Sequence, residues 1–454
     1  MLGEIFEPFV NKSPVSVMAR GLAERILQPE RLDAWFEDLD TPQYTRDLLF
    51  SSVFNLMSQV VCGSQKSVNA AYQAAKDEVG TSIVSVYNKL MCLDINTSAG
   101  LVRYAADEAI PIIEQLGGAL PPLLPGYRVK LLDGNCIEAS EHRIKELRTL
   151  AAGALPGKSL VVLDPALHLP IAVFPCEDGH AQERSLLGGV LKTVAPRDVW
   201  VADRNFCTLS FLLGIALVGG FFAIREHKNL PWKAISDLRP AGKTDTGRLF
   251  EQKIQITDEQ GNTLKLRRIV LRLKKVTRDG DKEIVILTNL SKRAAQARQI
   301  ATLYRNRWTI ETAFQELTVH LNSEINTLGY PRAALFAFCV ALVAYIIMAI
   351  LKAALRSVHG TKTIEDNFSG YYLADELSGV YQGMMISIPA HEWMIFRQLT
   401  QPQLIQCLQM LVGNVKLSRF QKHPRGPKKP APKRISDPKT PHVSTAKLLA
   451  RRKS

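Results

Sequence analysis

The chain reads as an α/β protein with a mixed sheet and flanking helices, and three observations predict it. Three apolar runs, Tyr127–Asp133, Leu160–Asp164 and Pro170–Phe174, follow one another at strand length. A helical stretch over about Ala181–Val194 then leads to the strand Val199–Ala202. A second helix over about Thr208–Val218, a Gly219-Gly220 break and the strand Phe221–Arg225 complete the series.

Three strands, a helix, a strand, a helix and a strand is the order of a ribonuclease-H-like fold. Ahead of it, residues 1–125 space their apolar residues at three and four and show no strand alternation. Within them Val68–Val79, Gly80 and the run Ile83–Leu90 outline two helices joined by a turn, with Thr81 or Ser82 as cap. A DNA-reading helix-turn-helix and an ordinary helix pair both fit that outline. Pro121-Pro122 and Pro125-Gly126 mark the boundary with the sheet.

After the sheet, Phe250–Thr257, Thr263–Val276 and Glu283–Leu287 alternate as antiparallel strands. Turns fall at Asp258–Asn262 and Arg278–Asp281. Ile269, Leu271 and Leu273 share one face of the middle strand, and Arg268, Arg272 and Lys274 the other. Those three cations are either an ordinary wet face or a phosphate-tracking surface. Ser291 is a candidate cap for a long helix that follows. Ala333–Leu351 is uncharged and long enough to cross a bilayer, but a helix buried on all sides has the same composition. The core reading is preferred, since no second span accompanies it. Residues 356–412 look helical and carry no motif.

Composition narrows the partners. The net charge is +14, yet Lys416–Ser454 holds thirteen Lys/Arg against one acid and so carries about +12 of it. A basic, proline-rich tail cannot pack a core, so 413–454 is expected to be extended and mobile. It serves either a polyanion or solubility. Seven cysteines without a Cys-x2-Cys pair suit a reducing compartment and argue against a zinc module. The acidic N-terminus, Met-Leu-Gly-Glu-Ile-Phe-Glu, is unlike a signal peptide.

Chemistry is concentrated in three acids. Asp133 closes Tyr127–Asp133, Asp203 closes Val199-Trp-Val-Ala-Asp203, and Glu311 lies in Tyr304-x2-Arg307-x3-Glu311. Two strand-end carboxylates and one helical carboxylate are what holding Mg²⁺ or Mn²⁺ against a phosphodiester requires. At 100° per residue, Tyr304, Arg307, Glu311, Gln315 and Thr318 span about 80° of a helix, with Trp308 beside them. Leu303, Ile310, Phe314, Leu317 and Leu321 form the adjacent core stripe. Glu316 points away from both and is expected in solvent. Alone, Arg307–Glu311 would be a surface pair worth ~0.3–0.5 kcal/mol. That account leaves the two strand-end aspartates unexplained.

Together these motifs resemble the DDE transposases of bacterial insertion sequences, specifically the insertion sequence 4 family with its Tyr-x2-Arg-x3-Glu-x6-Lys signature. Tyr304, Arg307 and Glu311 match that signature, Leu-Leu-Asp133-Gly-Asn matches its first aspartate and Ala-Asp203-Arg-Asn-Phe its second. The strands placed before Glu311 also match, and the resemblance covers roughly 127–350. Thr318 stands where the family has the lysine thought to contact DNA phosphate, which puts that contact in doubt.

The resemblance implies cut-and-paste transposition. Asp133, Asp203 and Glu311 would hold two Mg²⁺ or Mn²⁺ ions ~3.5–4 Å apart. Cleavage of the transposon ends would free a 3′-OH that attacks the opposite strand or target DNA. Tyr304 and Arg307 would position phosphate. Trp308 would stack on a displaced base or else be a helix-flank core residue. Arg204 and Arg225 would contact DNA or else be members of structural ion pairs. His180 and Glu183 are weaker candidates near the site. The implied partners are double-stranded transposon ends, target DNA and a second copy in a synaptic complex, in the bacterial cytoplasm at the nucleoid and without a membrane. Alternatives are a nuclease on the same fold, or a catalytically inactive DNA-binding descendant. The expected divisions are 1–125 (helical, DNA-binding), 126–227 (first catalytic part), 228–284 (strand insertion), 285–355 (glutamate helix), 356–412 (helical) and 413–454 (tail).

Overall fold

The computed structural model describes residues 2–39, 48–277, 280–423 and 442–451. Its strands are β1 (Arg128–Cys136), β2 (Ala154–Leu155), β3 (Lys158–Asp164), β4 (Leu169–Cys176), β5 (Asp198–Ala202) and β6 (Phe221–Arg225). They continue with β7 (Lys233–Ala234), β8 (Arg239–Lys243), β9 (Gly247–Thr257), β10 (Thr263–Leu273), β11 (Glu283–Thr288) and β12 (Val443–Ser444). One mixed sheet runs in the order β4-β3-β1-β5-β6-β11-β10-β9-β7, with β8 also on β9. Its centre, β1-β5-β6, is parallel, and both flanks are antiparallel. This mixed sheet with flanking helices fits a ribonuclease-H-like domain.

Side-chain alternation divides the strands between two cores. Leu131, Val161, Val199 and Val201 face a large cluster shared with the N-terminal and C-terminal helices. Leu132, Val162, Trp200 and Ala202 face a smaller one with Leu187, Phe206 and Phe211. At the middle of the large cluster lies the helix Pro331–His359, whose most apolar window is 94% buried. It packs against Pro14–Ile26, Phe50–Val61, Ile95–Leu116 and Gln401–Gly413. Tertiary burial thus accounts for its composition, as the core reading held.

Several boundaries differ from expectation. β11 pairs with β6, so the strands of the expected 228–284 insertion continue the same sheet. Residues 1–125 and 356–412 share one core through Pro331–His359. The expected turn at Asp258–Asn262 is present, with Asp258 Oδ1 accepting from the Gln260 and Asn262 amides. That at Arg278–Asp281 lies partly outside the described residues. Ser291 caps only a short turn, and the helix begins later, at Ala297, capped by Gln296.

The tail is also corrected at both its ends. Phe420 is buried and stacks on Phe368 at 5.3 Å. β12 pairs in parallel with β2, and Leu448 and Leu449 pack against the buried Ile144 and Leu147. These apolar residues, scattered among the cations, find pockets on the body. The rest of the expected mobile tail, 424–441 and 452–454, lies outside the described residues.

The outlined helix pair is present as Val68–Ala74 and Lys76–Val79, then Ile83–Cys92. Gly80 turns the chain at φ +65°, a conformation that glycine adopts without a Cβ clash. The Ser82 side chain caps the second helix by accepting from the Ser85 amide.

Candidate active site

The parallel pairing of β1 with β5 sets Leu132 opposite Ala202, so Asp133, the next residue of β1, lies beside Asp203, the residue that follows the end of β5. Neighbouring strands lie about 4.8 Å apart. Asp133 shares the parity of Leu131 and Asp203 that of Val201, so both face the large-cluster side of the sheet. β1 itself runs on to Cys136, which places Asp133 inside the strand and not at its end. Gly134 donates its amide to Asp133 Oδ1 at 2.9 Å.

The third acid comes from a broken helix. Ala297–Arg305 ends, and Trp308–His320 begins after a tight turn in which the Arg307 amide bonds the Tyr304 carbonyl. The expected continuous helix is therefore two, with Arg307 at the joint. The core stripe survives the break: Leu303, Ile310, Leu317 and Leu321 are buried and Phe314 is half-buried.

Arg307 unites the site. Its guanidinium donates to Asp133 Oδ2 at 2.7 Å and to Glu311 Oε1 at 2.6 Å. Side-chain exposures of 9%, 19% and 45% for Arg307, Asp133 and Glu311 grade the pair from buried to wet. The Tyr304 hydroxyl lies 3.4 Å from Asp203 Oδ1. Burial pushes the Asp133 carboxyl up to about 6; Arg307 and the Gly134 amide oppose it, while Glu311 and Asp203 reinforce it. Burial, with Asp203 beside it, raises the Tyr304 phenol to about 12. For Arg307, burial acts downward, but Asp133, Tyr304 and Glu311 outweigh it and the guanidinium is held charged.

The donor set of three carboxylates has the chemistry of a site for a hard divalent cation. Among the described residues, however, no three acidic, His or Cys side chains stand in metal-holding geometry. The Arg307 cation instead bonds both Asp133 and Glu311 and takes the place of a metal charge between them.

The other sequence candidates separate. Trp308 is 56% exposed, so its core reading is excluded. Thr318 is exposed and returns its hydroxyl to the Phe314 carbonyl. Arg204 is exposed just after Asp203. Arg225 pairs with Asp281, Arg268 forms a two-point pair with Glu226, and Arg272 pairs with Glu283. Lys274 lies past the end of β10 and donates to the Asp245 carbonyl. These four cations are engaged within the fold, which favours their structural reading. His180 is exposed.

Glu316 is a correction. It is not solvated but bonds Lys352 of the core helix at 2.9 Å, and its carboxyl is lowered: burial acts upward, but Lys352 outweighs it. A hydrophobicity wheel carries no trace of a partner thirty-six residues away. Glu183, a weaker candidate from the sequence, accepts from Asn205 of the Asp203 motif and lies against the back of β1.

A mixed sheet of ribonuclease-H-like order thus has Asp133, Asp203 and the Arg307–Glu311 pair at one edge of its parallel centre. Residues 125–347 match the family model described as "Transposase DDE domain". The curated protein "Putative transposase y4zB" of Sinorhizobium fredii (strain NBRC 101917 / NGR234) is 28% identical over 161 residues. That similarity covers 35% of this chain and 42% of that protein, less than half its length. Both findings support a transposase with a DDE domain.

Proposed function

We propose that the protein binds the ends of an insertion sequence of the insertion sequence 4 type and catalyses metal-dependent strand cleavage and strand transfer. The observation that carries this reading is the single guanidinium shared by Asp133 and Glu311, with Asp203 just past the end of the strand that pairs with β1. Asp133, Asp203 and Glu311 would hold two Mg²⁺ or Mn²⁺ ions. When bound, these supply Lewis acidity for activating water and stabilising the leaving 3′ oxygen.

The chain's own residues prepare that chemistry. Arg307 keeps two converging carboxylates from repelling each other before metal and DNA arrive. Its planar fork then suits a backbone phosphate once the carboxylates have another cation. Tyr304 offers a protonated hydroxyl at neutral pH, since its phenol is raised to about 12. Trp308, exposed next to Arg307, presents an indole face for a base displaced at the cleaved end. Thr318 supplies no charge where a lysine would, so phosphate binding rests more heavily on Arg307 and on Arg204. Two copies would pair the two ends, acting at the nucleoid of a bacterial cytoplasm.

Asp133→Ala, Asp203→Ala and Glu311→Ala are each expected to abolish Mg²⁺-dependent end cleavage while end binding in a gel-shift assay persists. Near wild-type cleavage by any one of them overturns the triad. Pre-nicked ends supplied with target DNA separate a transposase, which joins them, from a nuclease, which stops at hydrolysis.

A further inference from the structure

Asp133 and Asp203 need a fixed separation to act together, yet the residues after Ala202 are a short 3-10 turn, Arg204–Phe206. Something must hold that turn to β1. Gly134 has the parity of Leu132 and so faces the opposite side of the sheet from Asp133, toward Leu187 and Phe206. Glu183, at the start of the turn Glu183–Leu186, lies on that side. Its Oε2 accepts from Asn205 Nδ2 at 2.5 Å. A Cβ added at Gly134 would lie 2.2 Å from Glu183 Oε1 and 2.6 Å from its carboxyl carbon. The carboxylate thus occupies the space that a side chain at Gly134 would fill. The next residue, Arg184, donates its Nε to the Asn205 carbonyl at 2.7 Å.

We propose that Glu183 is a positioning residue: from behind the sheet it clamps the turn carrying Asp203 to the main chain carrying Asp133. The assignment rests on the carboxylate site proposed above and extends it to a residue that touches neither DNA nor metal. Asn205 donates its side-chain amide to Glu183 and accepts from Arg184 at its carbonyl, so consecutive residues of one turn hold the segment that follows Asp203 on one side. Contact with Gly134 fixes the other. Supporting groups of this kind alter metal affinity by roughly tenfold or more when removed. Gly134 is then required for a steric reason: a methyl there displaces the Glu183 carboxylate.

The test is Mn²⁺ binding without DNA, read as the Mn²⁺-dependent rise in Tm of the full chain, beside single-turnover end cleavage. Wild type is expected to be stabilised by Mn²⁺ and Asp133→Ala not. Glu183→Ala should require roughly tenfold more Mn²⁺ for half its effect, and Gly134→Ala should do the same with the carboxylate still present. Glu183→Gln, whose amide oxygen still accepts from Asn205, should stay within about twofold of wild type, and metal-free Tm and circular dichroism show whether each variant is folded. Should Glu183→Ala fail to fold, Gly134→Ala and Glu183→Gln decide between them. A Glu183→Ala or Gly134→Ala curve that overlays wild type overturns the clamp. A Glu183→Gln loss as large as that of Glu183→Ala overturns it too, because the charge and not the bond would then be what matters. If wild type shows no Mn²⁺ response at all, the metal reading itself fails, and this inference with it.

Discussion

At Asp133 burial and charge pull in opposite directions, and the resulting carboxyl, raised to about 6, has a consequence for stability. A carboxyl raised in the folded state penalises folding above that value and not below its ordinary 3.8. In metal-free buffer at pH 7.5, Asp133→Asn is therefore expected to be more stable than wild type, by up to roughly 3 kcal/mol. The gain should shrink as pH falls through 6 and vanish below 4. Urea denaturation at the two pH values checks it, and a pH-independent gain would refute the account. The same variant is expected to lose the end cleavage proposed above, an exchange of activity for stability. Asp133, Asp203, Arg307 and Glu311 were legible from their spacing, because strand parity and helix periodicity are local rules. Arg225, Arg268 and Arg272 were not resolvable that way: each one's carboxylate partner sits on a neighbouring strand or connection that sequence does not register.

At the scale of elements, the glutamate helix is held from below by an ion pair. Glu316 and Lys352 link Trp308–His320 to the core helix, with side-chain exposures of 23% and 12%. Breaking a pair of this kind leaves one buried charge alone, at a cost of roughly 3 kcal/mol. Lys352→Met should lower stability by about that amount, and Lys352→Met with Glu316→Leu should recover most of it. A double variant no better than the single one would show that the pair does not anchor the helix. Ser82→Ala should cost about 1 kcal/mol through the lost cap of Ile83–Cys92, measured by urea denaturation. Strand positions were read well because β5 and β6 are short runs that are almost all apolar and largely buried, and β1 carries the buried apolar residues Val129, Leu131 and Leu132. The break at Asn306–Arg307 was not: both residues keep right-handed helical backbone angles and differ only in the tighter hydrogen-bond closure.

Over the whole molecule, one core joins segments that composition separates. Trp393 and Phe396 pack on Phe6, and Gln401–Gly413 packs on Pro14–Ile26, so the two ends of the chain complete each other. A chain ending at residue 360 is expected to lose the cooperative thermal transition instead of shedding an independent region. A sharp transition near the wild-type Tm would contradict that. The full chain is expected in the soluble fraction without detergent, since the apolar face of Pro331–His359 is already covered.

Legible in the sequence alone were the main strands of the sheet in their order, the candidate acids with their arginine, and the apolar helix at the centre. Each follows from periodicity or from residue chemistry within a short window. Only the tertiary structure decided that the strand carrying Asp133 pairs with the strand leading into Asp203, that one guanidinium serves two carboxylates, and that Glu183 lies behind the strand of Asp133. Those depend on strand pairing and on contacts between residues tens to hundreds of positions apart, and nothing local in a chain encodes which distant partner arrives.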